Sequence, residues 1–143
     1  MLRKCIRASL FAALGMMAML LAYGSVATAT AQDKKKDEKL PDISEIMKKG
    51  HDKTDGYIAK IKEATKDGKW EDAQKYAKTL AFFGENLGKN KPAKGEAESW
   101  KKLTDKYHTN TKAVLKGTED KDAKAVAKGL GGINCGECHK LHK

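Results

Sequence analysis

Between Asp42 and Lys143, apolar side chains recur three and four positions apart in four blocks, the period of a helix with one buried face. The first block carries Ile43, Ile46, Met47, Tyr57, Ile58 and Ile61, with His51 and Thr54 on the same face. Asp42 followed by Glu45 has the spacing of a capping box, and Asp67-Gly68 predicts a stop near Lys66; Gly50 and Gly56 weaken the regularity in between. The second block starts near Lys69 and places Trp70, Ala73, Ala77, Leu80, Ala81 and Leu87 inward, with Phe83 beside them. A connecting loop is predicted over 88–95 from Gly88, Pro92 and Gly95. The third block, from Glu96 to Lys116, turns Ala97, Trp100, Leu103, Tyr107, Val114 and Leu115 inward, with Gly117 as its stop and Thr118 as cap of the next. The fourth carries Ala123, Val126, Ala127, Leu130 and Ile133 toward the core. Gly129, Gly131 and Gly132 sit near its end, and either break the helix or let a bound group approach the backbone closely. Four amphipathic helices with short connections predict an all-α, antiparallel four-helix bundle.

What precedes this domain has a different character. Residues 1–31 have the three parts of a secretory signal peptide: basic Arg3, Lys4 and Arg7, an apolar run from Leu10 through Ala22, and Ala29-Thr30-Ala31 as a small-residue cleavage site. An uncleaved anchor is the competing reading, but the run is short for a membrane span. Cys5 lies before the apolar run and does not have the position of a lipid-attachment cysteine. Residues 32–41 are a charged leader, Asp33-Lys34-Lys35-Lys36-Asp37-Glu38-Lys39 closed by Pro41, without apolar period. Export followed by cleavage places the mature chain in the periplasm, with no membrane span and outside the reducing cytoplasm.

Of 29 basic residues, three belong to the signal; the mature 112 residues then hold 26 lysines against 19 acidic residues, a net +7, and no arginine. The lysines are interspersed with acids, without an aromatic-interleaved basic stripe or arginines for bidentate base contacts, which argues against nucleic acid as the partner. Such a surface favours electrostatic steering toward an acidic protein.

The chemistry sits at Cys135-Gly136-Glu137-Cys138-His139. Cys-x-x-Cys-His is the haem c attachment signature. Two thiols at this spacing can each add to one vinyl group of the same haem, and on a helix the adjacent histidine shares their face and reaches the iron. A thioredoxin-like site would need a βαβ setting, and a structural zinc site would need four ligands where only His142 and distant histidines could complete the set. The alanine-rich helix faces leave a small core that one buried porphyrin would fill.

A signal peptide, four helices and this motif at the C-terminal end together resemble the class II c-type cytochromes, cytochrome c′ and its low-spin relatives, over roughly residues 40–143. The resemblance implies one haem c on Cys135 and Cys138, with His139 as proximal iron ligand and, in the low-spin members, a first-helix methionine opposite it. Met47 matches that methionine and is the only one left after signal cleavage. Members often carry an arginine near the propionates; the mature chain has none, so a lysine such as Lys48 would substitute. Homodimers are common in the class, although no exposed apolar stripe here commits to one.

Register separates the distal candidates: in antiparallel first and fourth helices Met47 lies level with His139, while His51 sits one turn further along, near Asn134. Met47 is the expected distal ligand, His51 the alternative, and an open site the third option; His108 and His142 are expected at the surface. Methionine ligation implies one-electron transfer between redox partners. An open distal face implies NO or CO binding instead. No acid/base pair or nucleophile cluster accompanies the motif, which argues against an enzyme.

Overall fold

A computed structural model describes residues 40–143, which form six α-helices and no strand: α1 (Ile43–His51), α2 (Tyr57–Lys66), α3 (Trp70–Leu87), α4 (Ala97–Glu119), α5 (Ala123–Gly131) and α6 (Cys135–His142). The segment read as a signal peptide and all but the last two residues of the leader lie outside the described residues. Among the described residues no helix is long and apolar enough to cross a membrane.

Two of the four expected helices are interrupted, each by a local polar device. The Asp42 carboxylate caps α1 as expected, accepting from the Glu45 N–H at 2.7 Å, but Glu45 turns to Lys49 (2.6 Å), so only half of the capping box forms. Helix α1 then ends at Asp52, whose Oδ1 accepts from the Thr54 N–H, the Thr54 hydroxyl and the Asp55 N–H, each at 2.9 Å. A side chain that satisfies the backbone locally competes with continued helix. The tight return requires Gly56: a Cβ there would stand 2.5 Å from the Asp52 carbonyl oxygen.

The second interruption separates α5 from α6. The Asn110 side-chain amide of α4 donates to the Gly132 carbonyl at 2.8 Å, and the Asn134 side chain restarts the helix by accepting from the N–H groups of Gly136 (3.1 Å) and Glu137 (3.3 Å). Gly129 serves a different purpose. A Cβ there would lie 2.8 Å from Val114 Cγ2, so the residue sets a close α4–α5 crossing, while Gly131 faces open space. The helix interruption expected at these glycines is found, and Gly132 lies at the break.

The expected end of the third helix also moves. Helix α4 runs through Gly117 and Thr118 to Glu119 because Gly117 is an approach point, not a stop: a Cβ there would meet the backbone N of Val126 at 2.8 Å. Thr118 donates back to the Leu115 carbonyl (2.7 Å), and Asp122 caps α5 by accepting from Lys124 and Ala125 N–H at 2.9 and 3.0 Å. Ala97, Ala123 and Ala127, expected inward, are exposed; the inward face of α5 is Val126 and Gly129.

Both tight turns at the end of α2 and α4 close with the paired hydrogen bonds of a Schellman motif. At the first, Gly68 (φ +70°) donates to Thr65 at 3.3 Å and Lys69 to Ala64 at 2.8 Å. At the second, Lys121 takes the left-handed position (φ +55°), donating to Thr118 at 3.3 Å while Asp122 donates to Gly117 at 2.9 Å. A side chain costs about 1 kcal/mol in that conformation, partly offset by the greater freedom of glycine when unfolded. Lys121→Gly is therefore expected to stabilise the chain by roughly 0.5–1 kcal/mol, seen as a higher urea midpoint at unchanged slope.

Helix α2 packs on α3, α3 on α4, α4 on α5, and α5 returns to α2, while α1 lies on α2 and α3 and α6 on α4. Contacts fix the directions. Gly84 sits against Thr111 and Gly88 against Thr104, so α3 and α4 are antiparallel. Along α4, Gly117, Val114, Asn110, Lys106 and Ser99 meet Val126, Gly129, Gly132, Glu137 and His142 in turn, so α5 and α6 keep one direction despite the break. Helix α1 is antiparallel to α3, with Gly50 near Phe83 and the Pro41 carbonyl bonded to Asn90 (3.2 Å). Two apolar clusters result. Ile61, Ala77, Leu80, Val114 and Val126 close one end among α2 to α5; Ile46, Phe83, Leu87, Trp100 and Tyr107 form the other, against α1. Fully buried aliphatic side chains such as Ile61 and Leu80 contribute about 1.5–3 kcal/mol each.

Candidate functional site

The end built on α1 and the aromatic cluster is not filled. A cavity of about 770 Å³ opens there, bounded by α1, the start of α4, α6 and the 88–96 connection. That volume is within the roughly 300–1,000 Å³ typical of cofactor and small-molecule sites.

Every residue singled out as a candidate ligand or attachment point lines this cavity: Met47 and His51 from α1, and Cys135, Cys138 and His139 from α6. The register explains why. Helix α1 is antiparallel to α3, α3 to α4, and α4 to α6, so α1 and α6 run in opposite directions along the same end of the molecule. Pro41, Asn90, Trp100 and His142 mark one level, linked by Asn90 Nδ2–Pro41 O (3.2 Å), Trp100 Nε1–Asn90 O (2.8 Å) and the Trp100–His142 ring contact. His51 and Tyr107 mark a level deeper along α1 and α4, and Met47 lies one turn nearer the first.

Met47 is half-buried and packs on the cluster of Ile46, Phe83, Leu87, Trp100 and Tyr107, as Cys138 also does from α6. Cys135 and Cys138 are not joined to each other. Burial, and secondarily Cys135, pushes the Cys138 thiol up and keeps it protonated. Cys135 and His139 are exposed to the cavity mouth. Glu137, between them in sequence, accepts from Lys106 at 2.9 Å; that bond and the lysine charge hold its carboxyl below the usual range.

His51 is held differently. Its Nε2 lies 2.9 Å from the Tyr107 hydroxyl, the two rings 5.5 Å apart. Burial, with His139 nearby as the smaller cause, pushes its imidazole down, so it favours the neutral form. Tyr107 is buried, which drives its phenol well above its ordinary range. The inward position of Tyr107 follows from helical spacing; its bond to His51 joins residues 56 apart and has no local signal.

His142 overturns the expectation of a surface residue. It is 6% exposed, with Nε2 2.9 Å from the Ser99 hydroxyl, Nδ1 2.9 Å from the Lys94 carbonyl, and its ring edge-on to Trp100 at 5.2 Å. Gly95 (φ +87°) makes room, since a Cβ there would stand 2.5 Å from Nδ1. The two bonds fasten α6 to the 88–96 connection and to α4. His108 is half-buried on α4 and does not line the cavity. Lys48 does line it, with an exposed side chain, as do Lys91 and Lys143.

Among the described residues no three His, Cys, Asp or Glu side chains converge on one point as they would around a bare metal ion. Instead, sulfur and nitrogen donors are distributed on two helices around a common cavity. Comparison with protein-family models, with curated proteins and with solved structures finds no match to this chain.

Proposed function

We propose that residues 42–143 form a haem c domain of the class II cytochrome type, exported to the periplasm and working in one-electron transfer between protein partners. In this reading α1 with α2 and α5 with α6 are the interrupted first and fourth helices of a four-helix bundle. The observation that carries it is the single cavity lined by Cys135, Cys138 and His139 from one helix and by Met47 and His51 from another.

The residues fit the group. A haem carries its own ring nitrogens, so the residues that would hold it, His139 and Met47, need not be joined by a third or fourth donor at one point. Cys135 and Cys138 are free thiols at the spacing of two vinyl groups, and His139 follows directly. Met47 offers a thioether from α1, and Lys48, Lys91 and Lys143 offer cations for the propionates. The bound haem would supply the one-electron couple, raised in potential by a methionine–histidine pair. The rest is the work of the chain: Trp100, Leu87 and Ile133 give the cavity apolar walls, and Met47 and His139, which would hold the group, stand on helices packed on α3 and α4. The lysine-rich surface would favour docking to an acidic redox partner, with association that weakens as salt rises. Export rests on the signal pattern of residues 1–31.

Absorption spectra of the oxidised and reduced holoprotein, for the wild type and for Met47→Ala, test this reading. A low-spin wild type with a sulfur-to-iron charge-transfer band, lost in Met47→Ala together with a fall in midpoint potential, is the expected result. A high-spin wild type that takes up CO or NO directly would overturn the carrier function in favour of gas binding.

A further inference from the structure

Met47 and His51 are four residues apart on one helix and both line the cavity, so either could serve the iron of the haem proposed above; the inference that follows rests on that proposal. Imidazole is the more basic donor. Helix position favours Met47, because His51 sits one turn, about 5.4 Å, further along α1, but both side chains line the same cavity.

The difference lies in what already holds each. His51 Nε2, the ring nitrogen furthest from the backbone and the least crowded for reaching a metal, is bonded to the Tyr107 hydroxyl at 2.9 Å. The direction of that bond does not matter. If the phenol donates, it occupies the Nε2 lone pair; if Nε2 carries the proton, no lone pair is there. The remaining nitrogen, Nδ1, lies next to the carbon that bears the Cβ, where a flat macrocycle is hindered. Tyr107 is itself 9% exposed, and His51 is the one hydrogen-bond partner of its hydroxyl among the described residues. Withdrawing His51 would leave a buried hydroxyl unpaired, which proteins avoid. The Met47 sulfur makes no hydrogen bond among the described residues and costs nothing of the kind to redirect.

We infer that Tyr107 is a positioning residue that selects the axial ligand: its hydroxyl retains His51 on the wall of the cavity and leaves the Met47 thioether as the donor opposite His139. The device is a specificity element for a ligand within the chain. It also predicts where the selection fails, since removing one oxygen atom frees the stronger donor.

Tyr107→Phe keeps the ring and its packing and removes only the hydroxyl. In the holoprotein its oxidised spectrum is expected to lose the sulfur-to-iron band and take the form of a low-spin haem with two nitrogen axial ligands, with a lower midpoint potential. Tyr107→Phe combined with His51→Ala is expected to regain the wild-type band, and His51→Ala alone to keep it. An unchanged spectrum and potential in Tyr107→Phe would overturn the inference, as would failure of the double variant to restore the band or loss of the band in His51→Ala alone. A wild type already ligated by His51 overturns it too, while leaving the haem domain intact. A wild-type protein without covalent haem would sink both the inference and the reading beneath it, so the two failures are distinguishable.

Discussion

Replacing Cys135 and Cys138 together by alanine is expected to yield a protein that retains no haem once it is denatured. Intact mass would equal that of the bare mature chain, and a haem-dependent peroxidase stain after denaturing electrophoresis would be blank. Either single replacement is expected to keep one thioether and part of the stain. The reasoning separates attachment from affinity. In the proposed haem domain, bonds from His139 and Met47 and contacts with the apolar walls of the cavity would depend on the folded state, whereas a thioether would survive its loss. The side chains themselves contribute little to packing: Cys135 is exposed and Cys138 only half-buried, so the double variant is expected to fold and to bind haem reversibly. Covalent haem mass persisting in the double variant would refute the attachment sites.

Trp100→Ala is expected to carry the largest stability cost of any single substitution at the cavity end, about 3–5 kcal/mol, as truncation of a buried tryptophan does. That is a large share of the ~5–15 kcal/mol that holds a domain of this size together. Trp100 is 6% exposed, packs with Ile46, Phe83, Leu87 and Tyr107, and donates from Nε1 to the Asn90 carbonyl at 2.8 Å. Its ring also supports His142, whose bonds to Ser99 and Lys94 fasten α6. The loss would appear as a lower urea midpoint. Trp100→Phe, which keeps most of the volume but not the donor, is expected to recover more than half of it. A midpoint within experimental error of wild type for Trp100→Ala would show that the cavity end contributes little to the global transition.

The helical nature of the domain was legible because it rests on short-range signals. Asp42 caps the helix it was expected to cap, Gly68 ends α2, and the Cys-x-x-Cys-His stretch is one turn of α6. The breaks were not legible from periodicity. Residues 52–56 hold no apolar side chain, yet Ile58 resumes approximately in phase with Met47, and the three bonds collected by Asp52 Oδ1 show that the chain turns. Gly117 has the composition of a stop signal, yet its lack of a side chain serves the arrival of α5. His142 and the Tyr107–His51 pair were missed for a common reason. Each is defined by a partner 43 to 56 residues away, and a histidine carries no local mark of whether such a partner exists.

The division of the interior into two clusters has a bearing on assembly. The end closed by Ile61, Ala77, Leu80, Val114 and Val126 draws its buried members from α2, α3, α4 and α5 and none from α1 or α6. That half needs no side chain of α1 or α6 to complete its buried cluster. Helix α6 joins through one exposed ion pair, worth at most about 1 kcal/mol, through the anchorage of His142 and through Cys138 packed on the aromatic cluster. The peptide bearing the two thiols thus places only His142 among the buried residues. In the proposed haem domain, a polypeptide already folded at one end would still present Cys135 to His139 for attachment, and the thioethers would then be the last fastening of the native state.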